Sequence, residues 1–172
     1  LLREVNDLDL PLSAQMNWLN RRANEYFDDG VFAGALGFEL DLKTHQLRWV
    51  CSGMPELWVS TQAARGVLKN PGMYLGMMED EVFETHTLPL AAGDALYLLT
   101  DGLTDLLAKK LTSPLEQYTE MVSFLRNLTT SPECRDDATA ICIRIVSFPD
   151  ALVPQEGWPR AADVLRYAWS IP

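Results

Sequence analysis

Long apolar runs are missing from this 172-residue chain, and so is any excess of positive charge. No stretch approaches the roughly 18 consecutive apolar residues of a membrane-spanning helix, and no signal-peptide pattern is present. Lysine and arginine total 14 against 24 aspartate and glutamate, for a formal net charge of -10; this balance argues against a nucleic-acid-binding surface. Cysteine is scarce. Cys51, Cys134 and Cys142 show no C-x-x-C or metal-ligand spacing, and an odd count without a framework suits a reducing, cytoplasmic compartment. Cys51 and Cys142 lie in apolar stretches and read as small core residues, whereas Cys134 adjoins an acidic cluster. The two histidines, His45 and His86, stand apart in the pattern and read as surface or strand residues. Internal repeats and low-complexity tracts are absent. The chain also opens on Leu1 rather than Met, so a fragment or a processed piece is expected.

What remains is a chain that is 48% hydrophobic, enough for one domain with a sizeable core. Most of the acidic excess is explained by solvated faces, although it also permits a carboxylate-rich metal site. Leu12, Met16, Leu19, Ala23 and Phe27 recur at helical spacing, with Pro11 fitting an early turn and Asp28-Asp29-Gly30 ending the helix. Val31–Leu42 and Gln46–Ser52 read as strands joined by a hairpin-sized connection, followed by a short strand at Leu57–Ser60. Thr61–Pro71 reads as loop, Val82–Leu90 as a half-exposed strand, and Ala95–Thr100 as a buried strand after a Gly93-Asp94 turn. Pro114–Leu128 has helical spacing behind a Ser113/Glu116 capping box, and the stretch between Asp105 and Asp136 has room for that one helix. A last strand runs through Ala140–Val146 with Ile141, Ile143 and Ile145 on one face. Strands outnumber helices and connections are short, the pattern of an α+β domain with antiparallel sheet. Residues 1–148 form this domain. Residues 149–172 form an extension, broken by Pro149, Pro154 and Pro159, with a short helix around Ala162, Leu165, Tyr167 and Trp169. That helix either packs on its own domain or uses Trp158 and Trp169 at a partner.

One segment carries chemistry. Gly93 to Asp105 reads as a turn, a buried strand and then Asp101 at the strand's C-terminal end, where Gly102 supplies a sharp bend. Arg135-Asp136-Asp137 precedes the last strand. If the two strands are antiparallel neighbours, the end of one lies beside the start of the other. Asp101 and Asp136 then meet at one edge, as a pair of hard oxygen donors suited to Mg²⁺ or Mn²⁺.

Four stretches together resemble the bacterial metal-dependent serine/threonine phosphatases of the SpoIIE/RsbU type, within the PPM superfamily. They are Phe32-Ala33-Gly34-Ala35-Leu36-Gly37-Phe38-Glu39-Leu40-Asp41, Trp49-Val50-Cys51-Ser52-Gly53-Met54-Pro55, Leu75-Gly76 through Thr100-Asp101-Gly102-Leu103-Thr104-Asp105, and Arg135-Asp136-Asp137-Ala138-Thr139. The resemblance runs from about Leu12 to Val146. It implies an antiparallel β-sandwich flanked by helices, in four α-β-β-α layers, and a binuclear Mn²⁺ or Mg²⁺ centre. In that centre Asp101 and Asp136 would be catalytic metal ligands. Gly102 would contribute the tight turn and its carbonyl through water, and Asp137 a further ligand or a supporting group. The implied substrate is a phosphorylated regulatory protein of the anti-sigma-factor-antagonist kind. An upstream sensor or receiver domain and a homodimeric assembly also fit the family.

The sequence departs from the family in two places. The family's upstream Gly-Asp, whose carboxylate bridges the two metals, and its Gly-His-Gly turn are not found, and Leu1–Val5 would be the tail of the helix that follows them. Met54 stands where the family commonly has His. Two functions follow from different classes. One is a phosphatase domain acting on a partner protein; the other is a catalytically degenerate phosphatase-fold adaptor in a stress-response pathway.

Overall fold

The computed structural model describes residues 4–5, 10–53, 57–68, 72–112, 115 and 117–148. Helix α1 spans Leu12–Tyr26 and begins behind Pro11, whose extended backbone needs no amide at that position. Its buried stripe of Leu12, Met16, Leu19 and Ala23 packs with Val5, Val50, Leu75 and Phe83. Three antiparallel strands complete this unit, in the order β1 (Ala35–Asp41), β2 (Gln46–Ser52) and β5 (His86–Pro89). The β1–β2 register pairs Ala35 with Ser52 and Asp41 with Gln46. At the hairpin, the amides of Lys43 and Thr44 both donate to Asp41 Oδ1, at 2.9 and 3.0 Å. Those bonds, that of Thr44 foremost, together with Arg48, hold the Asp41 carboxyl below its ordinary range.

Asn20, on the same helix, is fully buried. Its Nδ2 donates to the carbonyl of Met78 at 2.8 Å, and its Oδ1 accepts from the Gly76 amide at 2.9 Å. Asn17 Oδ1 accepts from the Phe83 amide at 2.9 Å. Two asparagines thus take up backbone groups of the segment between Leu75 and Phe83 that no strand ladder reaches.

The second unit holds four antiparallel strands in the order β4 (Arg65–Leu68), β3 (Leu57–Ser60), β6 (Ala95–Leu99) and β7 (Ala140–Arg144). Helices α2 (Asp101–Lys110) and α3 (Tyr118–Thr129) bury Leu103, Leu106, Leu107, Met121, Leu125 and Leu128 with Ala95, Tyr97 and Leu99. Each leucine so buried contributes roughly 1.5–3 kcal/mol relative to exposure. Asp94, 3% exposed, ties the sheet's loops together. Its Oδ1 accepts from the Gln62 amide at 3.0 Å and its Oδ2 from the Ala91 amide at 2.7 Å. Gly93, with φ of 97°, forms the turn expected there, and its amide reaches the Ile145 carbonyl at 2.7 Å.

Two antiparallel sheets with three helices among the described residues are the expected α+β architecture. The elements differ from sequence expectation in detail. Arg65–Leu68 is a strand within what reads as loop, because the polar residues before it only close a hairpin. Thr61 Oγ1 accepts from the Ala64 amide at 2.9 Å in that turn. Only His86–Pro89 of the Val82–Leu90 stretch pairs in the ladder, the Phe83 amide being taken by Asn17. β1 begins at Ala35 rather than Val31, since Ala33 pairs with Leu75 in an isolated bridge instead. β7 ends at Arg144, short of the expected Val146. Two helices, not one, occupy the span from Asp101 to Thr129. The second starts at Tyr118 without a side-chain cap. Ser113, Glu116, Met54 and the extension 149–172 lie outside the described residues.

Candidate metal centre

β6 and β7 pair antiparallel, with Leu99 opposite Ala140, so the C-terminal end of one strand adjoins the N-terminal start of the other. From that edge the chain leaves β6 through Thr100 directly into α2. Asp101 is the first residue of this helix and Gly102 the second. The expected sharp bend is therefore corrected: Gly102 lies in the first helical turn and is not among the glycines with positive φ.

Glycine is needed there for a different reason. A Cβ on Gly102 would lie 2.7 Å from the carbonyl oxygen of Asp137 and 3.2 Å from the Cβ of Asp136. The Asp136-Asp137 backbone thus rests directly on the first turn of α2, one residue along from Asp101. All three aspartates are exposed. Asp101 Oδ1 accepts from the Gly102 amide at 2.9 Å, and Asp136 Oδ1 from the Asp137 amide at 2.8 Å. Each carboxylate is steadied by one oxygen, which leaves the other available for a ligand. Asp101 also stands at the positive end of the α2 dipole, and Lys109 and Lys110 occupy its last turn.

Thr100 is a residue the sequence pattern did not single out. It is 6% exposed. Its hydroxyl donates to the Asp137 carbonyl at 3.0 Å and accepts from the Thr139 amide at 2.9 Å. Its own amide donates to the Thr139 carbonyl at 3.1 Å. The signal was present as a Thr in the N-cap position of a helix. A threonine before an Asp-Gly expected to be a turn does not disclose it.

The other polar candidates stand elsewhere. Asp94 is committed to its two backbone amides. His86 lies beside Trp49 with tilted rings and centroids 5.4 Å apart, and His45 occupies the β1–β2 hairpin with φ of 53°. Cys51 is buried, and burial pushes its thiol up to about 12; burial also raises Cys142. Cys134 Sγ lies 3.5 Å from the Asp136 carbonyl.

The donor type at this edge fits a hard divalent cation, for which carboxylate oxygen is the preferred ligand. The donor number supplies part of a coordination shell. Among the described residues, no group of three or more His, Cys, Asp or Glu side chains is placed to hold a metal ion.

The fold is shared with phosphatase domains of known structure, as structural comparison shows. The phosphatase domain of the cell-fate determinant SpoIIE from Bacillus subtilis superposes with a TM-score of 0.56 at 17% identity, over 90% of this chain and 76% of that one. A crystal of the same domain presoaked in Mn gives 0.55 at 15% identity, over 90% and 74%. RsbX in complex with magnesium gives 0.56 at 18% identity, over 81% and 70%. The RsbU and RsbW domains of a Mycobacterium tuberculosis protein give 0.63 at 18% identity, over 86% of this chain and 46% of that one. No curated protein matches the chain by sequence. The family model for Stage II sporulation protein E matches residues 1–146, and the chain belongs to that family.

Proposed function

We propose that this chain removes phosphate from serine or threonine of a regulatory partner protein, with Asp101 and Asp136 as its metal-ligating carboxylates. The observation that carries this reading is the contact at Gly102, which brings two acidic segments, 35 positions apart in sequence by their numbering, to one strand edge. The chemistry a bound Mn²⁺ or Mg²⁺ supplies is activation of water and neutralisation of the phosphoryl oxygens. The chain's own residues bind and orient. Asp101 and Asp136 each present one carboxylate oxygen, the other being tied to a neighbouring amide. Gly102 keeps the two segments in contact, and the Asp137 carbonyl anchors the acidic loop to Thr100. Asp137 supports Asp136 through its amide and adds a carboxylate at the rim.

The carboxylates lie on an open edge, which suits a phosphate carried on another protein's surface. Among solved relatives, SpoIIE is described as a cell-fate determinant and a Pseudomonas aeruginosa protein, PppA, as a key regulatory component. A phosphorylated anti-sigma-factor antagonist is the partner class we assign. A cytoplasmic setting fits that partner. Among the described residues no helix is long and apolar enough to cross a membrane.

A second reading, a binding module that keeps the scaffold without the chemistry, is favoured by one observation: among the described residues no three His, Cys, Asp or Glu side chains are placed to hold one ion. Mn²⁺-dependent hydrolysis of p-nitrophenyl phosphate separates the two. The phosphatase reading expects metal-dependent turnover that is lost in Asp101→Ala. Turnover equal in the two proteins removes Asp101 from the mechanism.

A further inference from the structure

Thr100 occupies the N-cap position of α2, in extended conformation, with φ of -77° and ψ of 162°. Threonine in that position ordinarily turns its hydroxyl onto a free amide of the first helical turn. Here it makes no such bond. The Gly102 amide is taken by Asp101 Oδ1 instead. The Thr100 hydroxyl is directed across to the acidic loop, where it donates to the Asp137 carbonyl at 3.0 Å and accepts from the Thr139 amide at 2.9 Å. With the backbone bond from the Thr100 amide to the Thr139 carbonyl, these are the three shortest of the hydrogen bonds that join the residue before Asp101 to the segment that carries Asp136. Gly102 lets the two backbones close to the distance those bonds require.

We propose that Thr100 is a positioning residue for the metal centre. Its hydroxyl, acting through the backbone of residues 137–139, sets the separation of the Asp101 and Asp136 carboxylates. This rests on the phosphatase reading given above. A helix-capping role would place the same hydroxyl on α2. A filling role would need only the methyl and the volume. The observed geometry uses the donor and the acceptor of the hydroxyl at once, both on the acidic loop, which neither alternative calls for.

Groups that orient metal ligands without touching the metal typically cost about 10- to 100-fold in metal affinity or activity when removed. Thr100→Val keeps the shape and removes both bonds, whereas Thr100→Ser keeps the hydroxyl. The test is Mn²⁺ binding to the whole chain, followed by electron paramagnetic resonance of free Mn²⁺, with amide hydrogen exchange at Thr139 read in parallel. Thr100→Val is expected to weaken Mn²⁺ binding about tenfold or more and to speed exchange at Thr139. Thr100→Ser is expected to stay within about twofold of the parent in both. If Thr100→Val does not fold, Thr100→Ala against Thr100→Ser makes the same comparison. Unchanged Mn²⁺ affinity in Thr100→Val overturns the proposal, and so does a loss in Thr100→Ser equal to that in Thr100→Val. Asp101→Asn in the same titration separates the two levels. If it leaves binding intact, the phosphatase site itself is misplaced. If it abolishes binding while Thr100→Val does not weaken it, only the role of Thr100 fails.

Discussion

Gly102 shows how a residue type can be read correctly as important and wrongly as to cause. Asp-Gly after a strand signals a turn, and the chain instead enters a helix in which glycine costs about 1 kcal/mol relative to alanine. Propensity alone would therefore make Gly102→Ala stabilising. A Cβ 2.7 Å from the Asp137 carbonyl oxygen opposes this, because the obstacle is backbone rather than the end of a flexible side chain. Overpacking of this kind costs about 1–3 kcal/mol, and the contact outweighs the propensity. Gly102→Ala is expected to lower the chemical-denaturation midpoint and to weaken Mn²⁺ binding in the same protein. A raised midpoint with intact binding would mean that α2 and the acidic loop are not in contact. Asp94 offers a second prediction. Replacing it with alanine strands the amides of Gln62 and Ala91. A hydrogen bond to a charged group contributes about 1.5–3 kcal/mol, and because Gln62 is exposed and Ala91 half-buried, water recovers part of the loss; Asp94→Ala is expected to lose roughly 1–3 kcal/mol in urea unfolding. A loss under about 0.5 kcal/mol would remove Asp94 as the tie between these loops.

Elements with strong periodicity were legible from sequence, and those defined by partners were not. Helix α1 spans Leu12–Tyr26 because its buried stripe repeats at 3.6 residues, which any reading of the chain recovers. The β1–β2 hairpin follows from two strand-like runs joined by a short connection, and β3 from its alternation. β4 escaped notice because the polar residues before it only close a hairpin onto β3, and the segment from Leu75 to Phe83 because side-chain hydrogen bonds organise it. The asparagines that hold the latter, Asn17 and Asn20, look like the polar face of an amphipathic helix. Asn20→Ala is expected to destabilise the chain by at least about 1–3 kcal/mol through unpaired backbone groups. It is also expected to speed hydrogen exchange at Gly76 before any other change. The β1–β2 hairpin carries a pH prediction. Asp41 has a folded pKa below its unfolded value, so its contribution is present above the unfolded pKa and is lost as pH falls through the folded one. Amide protection at Lys43 and Thr44 is expected to decline over that acid range in the parent. In Asp41→Asn it should be flat over the same range, and a parallel decline there would assign the effect elsewhere.

At the scale of the whole molecule, a chain of net charge -10 is offered a dianionic phosphate. Repulsion at long range is screened within about 8–10 Å at physiological ionic strength. The kcat/KM for p-nitrophenyl phosphate at saturating Mn²⁺ is therefore expected to rise as salt increases from about 0.01 to 0.15 M. A steep fall would indicate a positive field at the site that this composition does not suggest. The family was legible in the order of four motifs, each of them weak by itself, and the family match over residues 1–146 agrees with it. The adjacency of the segments that carry Asp101 and Asp136 was legible because antiparallel neighbours must bring one strand's end to the other's start. The grip of Thr100 on the acidic loop was not, since it depends on a hydroxyl whose direction no pattern encodes. The claim on which the account depends is that Asp101 and Asp136 bind one cation together. Mn²⁺ titration of the parent, Asp101→Asn, Asp136→Asn and the double variant tests it most directly. The account predicts weak saturable binding by the parent, lost in either single variant with no further loss in the double. Binding that survives both single substitutions unchanged would contradict it.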